Sequence, residues 1–440
     1  MPFEASPTAP QPGALNPARK IAVIGAGISG MGAAHMLAGT NRVSLFESGA
    51  RLGGHARTVM AGKRGDQPVD TGFIVFNYAN YPHLAALFAE LDVPVVKSSM
   101  SFGASIDGGR LEYALTSPNA FFAQRKNAVN LSFVRMLRDI FYFNKHALRV
   151  AQDKTLTIAE FLDRMRMGKY FREYYLSPLS GAIWSTPKEK IMDFPAYAMI
   201  DFFNNHGLLG YSGQHQWYTV DGGSQEYVKR LERAMRASGV DIRLNAPVQG
   251  VRRTATGVEV RAWGGEWEAF DEVILATHSD DSLALLADPT AEEAAALGAV
   301  RYQPNDITLH ADTRMMPKRR STWASWVYTE DADPTQDRID LTYWMNSLQP
   351  IPMDDLHFVT LNTKRTIREE LIYDQVTLRH PVYDLGALQA QKDIAAMNGT
   401  GNTWFCGAWM KHGFHEDGLS SAVDVVRALE RKGALPIAAE

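Results

Sequence analysis

The sequence predicts an α/β protein in which a Rossmann-type nucleotide-binding sheet is interleaved with a second, α+β domain. Three observations carry that prediction. Residues 20–47, KIAVIGAGISGMGAAHMLAGTNRVSLFE, read as strand, glycine turn, helix and strand. A Gly-Gly turn, an amphipathic helix and an apolar strand return from Val220 onward, and a strand, a glycine and a helix close the chain. Between these visits the glycine grammar disappears and the composition turns aromatic.

In the first module Ile21, Val23 and Ile24 form an apolar run, Gly25, Gly27 and Gly30 follow in G-x-G-x-x-G spacing, and helical periodicity starts near Met31. Gly25 permits the tight turn, Gly27 lets the backbone approach a pyrophosphate, and Gly30 brings helix and strand together. Ile28 and Ser29 offer the free N–H groups of the helix N-terminus to phosphate. Glu47 ends the second strand 20 residues after Gly27, with Ser48 beside it. An acid at that distance hydrogen-bonds a ribose 2′-OH and would repel a 2′-phosphate, which disfavours NADP.

A chain of 440 residues suggests two or three domains. Its 45% hydrophobic and 21% charged residues are a soluble, globular composition, and a formal net charge of -4 leaves no basic field to hold nucleic acid. The single cysteine, Cys406, excludes an intramolecular disulfide and fits a reducing compartment, so the cytoplasm is expected. Residues 1–18, rich in Pro and Ala, carry no basic-then-apolar signal and read as a disordered tail. No run reaches the ~20 apolar residues of a membrane span, so contact with the inner face of the cytoplasmic membrane would be peripheral. Whether the chain forms a homodimer is left open.

Directly after Glu47, RLGGHART sets Gly53 and Gly54 between Arg51 and Arg57. A second glycine pair flanked by cations suggests another backbone segment against an extended cofactor; a basic surface loop is the alternative. GAGISG, Glu47 and RLGGHART together resemble the opening of the flavin-containing amine oxidase superfamily, which also holds protoporphyrinogen oxidases and phytoene-desaturase-like enzymes. The resemblance implies non-covalent FAD in a domain of the p-hydroxybenzoate hydroxylase and amine-oxidase type. That domain would be built from 19–75, 218–300 and 396–440, with a substrate domain from 76–217 and 301–395. It carries over Gly53, Gly54, His55 and Ala56 as cofactor contacts, with His55 standing where the family usually has Arg. Asp70, Thr71, Gly72, Phe73 and Ile74 resemble the segment that passes the flavin ring. The wording DTGFIVFN with YPHL narrows the resemblance to bacterial FAD proteins of cyclopropane and methyl-branched fatty-acid metabolism, including the desaturase of furan fatty-acid synthesis.

From Ser98 to Tyr218 the chain reads as substrate domain. LSFVRMLRDIFYFNKHALRV places Phe133, Leu137, Ile140 and Phe141 on one helical side, with Arg135, Arg138, Lys145 and Arg149 interleaved. Packing against a core and resting on lipid are both open readings. Tyr170, Phe171, Tyr174, Tyr175 and Trp184 cluster next, and 201–211 could add an apolar loop. After Val220, the resemblance puts the Val248 backbone at the adenine and Ala276 and Thr277 at the cofactor's edge, while His278 reads more readily as structural than as acid or base. Strands are expected around Ile307 to His310, Trp323 to Tyr328, Leu341 to Met345 and Val376 to Leu378. Trp323, Trp326, Tyr343 and Trp344 lie on them and either pack the sheet or line an apolar cavity.

The closing stretch NTWFCGAWMKHGFHEDGLSSAVDVVRALE resembles the last superfamily motif and carries over Gly407, Gly418, Leu419 and Ala422, with a helix expected from near Leu419. Ala408 stands where an acid commonly follows the glycine. KHGFHED sets His412, His415, Glu416 and Asp417 close to the expected flavin. With no cysteine or third histidine near, acid, base or substrate-orienting work by His412, His415 or Glu416 is favoured over a metal site. The aromatic domain suits a lipid or fatty acyl substrate, which would be oxidised by hydride transfer to flavin N5 and loss of a proton, giving a conjugated diene. No second nucleotide module appears for NAD(P)H, so dioxygen or a quinone would reoxidise the flavin. An amine oxidase and a non-catalytic FAD-binding or acyl-carrier module are the alternatives.

Overall fold

The computed structural model describes residues 18–184, 191–210, 215–331 and 340–434. The tail expected at 1–18 lies, apart from Ala18, outside the described residues, as does the end of the 201–211 loop. Five parallel strands form the first sheet: β1 (Lys20–Ile24), β2 (Arg42–Phe46), β3 (Asp241–Arg243), β4 (Glu272–Leu275) and β5 (Thr403–Phe405), in the spatial order β3-β2-β1-β4-β5. Four helices matter below: α1 (Ile28–Leu37), α2 (Pro82–Glu90), α3 (Leu131–Val150) and α4 (His415–Ala434). A central parallel strand is covered on both faces. In β1, Ile21 and Val23 pack with α1 and α4, whereas Ala22 and Ile24 pack with the opposite layer. That opposite layer holds the antiparallel meander Val248–Arg253, Val258–Ala262 and Glu268–Phe270 and two helices, Ala291–Ala299 and Leu385–Met397.

Seven strands form the second sheet, in the order Ile372–Val382, Arg301–His310, Phe358–Leu361, Asp340–Trp344, Trp326–Thr329, Phe102–Ile106 and Leu111–Ala114. All its pairs are antiparallel except Trp326–Thr329 with Phe102–Ile106. One face carries the helical core of the inserted domain, built on Phe133, Phe143, Phe161, Phe171 and Phe203. Trp326 and Tyr343 turn to that core, while Trp323 and Trp344 pack on the other face. The chain crosses to the inserted domain at Val95–Ser98 and returns at Trp217–Val220, and these strands pair with each other (Val95 with Val220, Ser98 with Trp217).

Four expected boundaries move. α2 was expected with the substrate domain, yet it buries Leu84, Leu87 and Phe88 in the core shared by α1 and α4, and Leu385–Met397 buries Ala387, Ala390 and Ile394 on the nucleotide sheet's far face. The strand around Val376 runs over 11 residues because Arg301–His310 pairs with it along its whole length. α4 starts at His415 rather than near Leu419, since the Asp417 carboxylate accepts the Phe414 N–H (2.9 Å) and so closes the first turn. Acids there also favour the positive end of the helix.

Candidate functional site

The segments singled out by their glycines meet backbone on backbone. A Cβ built on Gly30 would lie 1.8 Å from Gly25 O, one on Gly54 2.9 Å from Gly27 Cα, and one on Gly72 1.9 Å from His55 O. Hydrogen bonds hold the same layers together: Gly53 N–H to Ala26 O (2.8 Å), Phe73 N–H to His55 O (2.9 Å) and Ala276 N–H to Ile24 O (2.8 Å). Gly27 differs, because a Cβ there meets nothing within 4 Å. The N–H groups of Gly27, Ile28 and Ser29 donate to no acceptor among the described residues, leaving the N-terminus of α1 able to bind an anion.

Glu47 is locked beside this turn. Its Oε2 accepts the Ala26 N–H (2.9 Å) and its Oε1 accepts the Gly49 N–H (2.8 Å) and the Ser48 hydroxyl (3.2 Å), so Oε2 keeps a lone pair for a further donor. Asn245 and Ala246 donate to Gly49 O and Glu47 O, which brings the start of Val248–Arg253 alongside. Of the expected cofactor contacts, Gly25, Gly27, Glu47, Ser48, Gly54, His55, Gly72, Phe73, Ile74, Val248, Ala276, Thr277 and Ala408 keep accessible surface. The others, Ile28, Ser29, Gly30, Gly53, Ala56, Asp70, Thr71, Gly407, Gly418, Leu419 and Ala422, are buried. Their side chains are framework: Leu419 lies over Gly32, and Gly418 packs on Ile28 and Ser29.

Asp70 illustrates the framework role. Its carboxylate accepts from Ser224 N–H (2.9 Å) and Oγ (2.7 Å), Thr58 Oγ1 (2.6 Å) and Gln349 Nε2 (2.9 Å), while burial pushes its pKa up to about 6. Neither cation of the second glycine loop is free for phosphate. Arg57 makes a bidentate pair with Asp374 (2.6 and 3.0 Å), and Arg51 bonds the carbonyls of Leu52, Gly54 and Ala56, curling the loop around itself.

Four histidines converge where the two domains meet. The His55 ring lies 5.9 Å from His278 and 5.7 Å from His380, and His415 is within electrostatic reach of it. His415 stacks on Phe73 (4.0 Å) and shares a 2.6 Å hydrogen bond with the Tyr227 hydroxyl; His278 stacks on Tyr302 (4.3 Å). Burial disfavours the imidazolium in each, lowering His55, bringing His278 to about 4 and His380 and His415 to about 3. The group is therefore neutral at physiological pH. His278 also approaches Asp280 and Asp281, but Arg379 binds both carboxylates (2.5 and 2.6 Å), which removes the charge a cation would need.

His380, Tyr227 and Tyr302 were not anticipated. A signal for His380 was present: the alternation in DQVTLRH puts Asp374, Val376, Leu378 and His380 on one strand face. Of the residues expected to do chemistry, His415 joins the histidine group, whereas His412 sits with Phe202 (6.4 Å) in an aromatic set that includes His206 and Phe414. Glu416 is occupied elsewhere, since its two oxygens accept the His83 and Leu84 N–H groups (2.9 and 2.8 Å) and cap α2. Glu416→Ala is expected to cost about 1–2 kcal/mol of stability, as cap losses do, with kcat within about two-fold of wild type. Thermal unfolding and steady-state turnover at matched flavin content measure both; a hundred-fold fall in kcat would instead put Glu416 in the chemistry.

The neutral histidines also set an acid limit. An unfolded chain protonates them from about pH 6.5 downward, whereas the folded rings of His206, His278, His310, His380 and His415 resist to about 3–4. Stability is thus fully present above pH 6.5 and lost as pH falls below it, at about 1.4 kcal/mol per ring and pH unit. Asp70, raised to about 6, acts oppositely, contributing stability at low pH that is lost as pH rises through 6. Burial raises Asp340, Glu416 and Asp417 in the same sense as Asp70, yet eight lowered rings, the five with His55, His83 and His357, outnumber these four carboxyls, and Tm is expected to drop by roughly 5–10 °C between pH 7 and pH 5; a flat or rising profile in thermal scans would show that the rings are not held neutral.

These residues fit an extended dinucleotide. The unpaired N–H groups of Gly27, Ile28 and Ser29 suit a pyrophosphate and the Glu47 carboxylate suits a ribose hydroxyl, the donor and acceptor chemistry that such a group needs. The family model described as flavin containing amine oxidoreductase matches residues 28–346. Among solved structures, the chain is similar to a CLA-producing fatty acid isomerase from P. acnes, at 14% identity and TM-score 0.69 over 94% of this chain and 99% of that one. It is also similar to putrescine oxidase bound to putrescine (16%, TM-score 0.64, 95% and 98%) and to cyclohexylamine oxidase from Brevibacterium oxydans (16%, TM-score 0.62, 94% and 100%). No curated protein matches it. At these identities the structural likeness establishes the fold, while the family match spans most of the chain. On that match the chain belongs to the flavin-containing amine oxidoreductase family and is an FAD-dependent oxidoreductase.

Proposed function

We propose that the enzyme desaturates a methyl-branched, unsaturated fatty acyl chain, carried in phospholipid at the cytoplasmic face of a membrane, to a conjugated diene. One strand face carries this reading. Along Ile372–Val382, Asp374 pairs with Arg57 (2.6 Å), Val376 and Leu378 pack on the apolar core of the inserted domain, and His380 meets His55 of the glycine-pair loop (5.7 Å). An apolar wall therefore ends at an uncharged proton acceptor beside the cofactor loop. Such a wall suits an acyl chain. A protonated amine would meet neutral rings there, with Asp70 and Glu416 already filled by protein donors.

Bound FAD supplies a two-electron acceptor for hydride. When hydride leaves the allylic carbon, the methyl branch and the double bond stabilise the positive charge left on the chain. Loss of the neighbouring proton then forms the second C=C, so the chain gives up one hydride and one proton. That proton is strongly acidic, and a neutral imidazole takes it even though burial makes the ring a weak base. We assign this role to His380. Next to it stand His55 and His278, at 5.7 and 5.9 Å between successive ring centroids, and the half-exposed Asp281 lies 3.8 Å from His278 Nδ1. The turnover closes when dioxygen or a quinone takes the electrons.

Incubation of the FAD-loaded enzyme with a phospholipid bearing a methylated monoenoic chain tests the proposal by mass spectrometry. The expected product is lighter by two hydrogens and absorbs as a conjugated diene. Unchanged lipid together with hydrogen peroxide from a panel of amines would replace this reading with amine oxidation.

A further inference from the structure

α3 carries apolar residues on both sides, and its inner side is fully accounted for. Phe133, Met136, Ile140, Phe143 and Ala147 are buried in the core of the inserted domain. The outer side is apolar as well. Leu131 is 85% exposed, Phe141 50%, and Val134 and Leu148 42% each; Val129, just before the helix, is 83% exposed. Leu131, Val134, Arg138, Phe141, Lys145 and Leu148 follow one another at spacings of three and four, a single stripe about 26 Å long at 1.5 Å per residue. Apolar side chains in contact with water along such a line are costly for a helix that already has its core face, so the stripe is explained by a partner.

The charge of the stripe identifies the partner's chemistry. Residues 125–150 hold six Lys or Arg and one acid, Asp139, a local charge of +5 in a chain whose total is -4. Asp139 is buried, accepts the Gly168 N–H (2.9 Å) and pairs with Arg135 and Arg138, while Lys126, Lys145 and Arg149 form no ion pair among the described residues. Interleaved cations and apolar side chains on an exposed helix match an anionic bilayer, whose headgroups take the charges while its acyl region takes the apolar side chains. A second copy of the same face would set like charges against each other.

We infer that α3 is a docking helix that lies flat on an anionic bilayer, with Leu131, Val134, Phe141 and Leu148 inserted and Lys126, Lys145 and Arg149 on the headgroups. The purpose of the helix rests on the acyl-lipid reading above, since the core behind it is the one that Val376 and Leu378 adjoin. Its existence does not. Flotation of the full-length, FAD-loaded protein with vesicles of phosphatidylglycerol and phosphatidylcholine, against phosphatidylcholine alone, is the test. Binding is expected to be at least ten-fold stronger to the anionic vesicles and to weaken at about 0.5 M salt. L131S/F141S/L148S and K126E/K145E/R149E are each expected to lose it ten-fold or more with flavin content and Tm retained. Equal binding of wild type and both variants, or equal binding to the two vesicle types, would overturn the inference. So would a self-association that the same variants abolish, or capture of an acidic protein without vesicle binding. Turnover of the acyl lipid in neutral detergent micelles separates the two proposals: oxidation there without vesicle binding removes the docking helix alone, and vesicle binding with no oxidation anywhere removes the desaturase alone.

Discussion

Gly27→Val is expected to give a folded protein that purifies without flavin. Position 27 has φ -73°, which valine adopts readily, and a Cβ there touches no protein atom within 4 Å. The protein alone therefore tolerates the side chain. A phosphate group drawn to the N–H groups of Gly27, Ile28 and Ser29 does not, because the branched side chain stands where the backbone must be approached. Bound flavin should fall to less than about one-tenth of wild type, while far-ultraviolet circular dichroism stays native. Gly30→Val gives the contrast that makes the result interpretable. Its Cβ would sit 1.8 Å from Gly25 O, so that variant loses the β1-α1 junction and with it the soluble fold. A yellow Gly27→Val protein of wild-type stoichiometry would move the pyrophosphate elsewhere.

The second large effect is expected at His380. With His380→Ala, kcat should fall by about 10²–10⁴-fold, the usual contribution of a positioned base, at unchanged flavin content and with KM changed little. The ring is not a structural keystone: it keeps accessible surface, and its contact with His55 is 5.7 Å between centroids. Because the proton is lost after hydride departure, an imidazole-free variant should show slowed diene release rather than weakened lipid binding. His380→Gln, which cannot take the proton, should match the alanine variant. A change of less than about three-fold in both would assign the base to another ring, with His55 and His412 the next to examine.

Much of the fold was legible because its signals are local. The strand, glycine turn, helix and acid of residues 20–47 occupy one continuous stretch, and close backbone contacts at Gly25, Gly30, Gly54 and Gly72 demand glycine whatever surrounds them. For His380 the strand face was legible but its place at the site was not, for the opposite reason. It lies 325 positions from His55 in sequence, and only the pairing of Ile372–Val382 with Arg301–His310 brings that strand to the cofactor loop. Glu416 looked like a loop residue poised for chemistry because acids mark loops and helix N-termini alike; the structure puts it, and Asp417 beside it, in helix-end hydrogen bonds. In α3 periodicity showed a helix but could not say which apolar side was inside. Phe133 and Ile140 went to the core and Phe141, expected beside them, faces out.

Anaerobic mixing of the FAD-loaded enzyme with methylated acyl phospholipid tests the central claim most directly, because it reads electron transfer from substrate without any assumption about the reoxidant. The expected result is loss of the oxidised-flavin absorbance, in step with one diene formed per flavin, and no such loss with putrescine or other amines. Flavin that stays oxidised with the lipid and is bleached by an amine would contradict it.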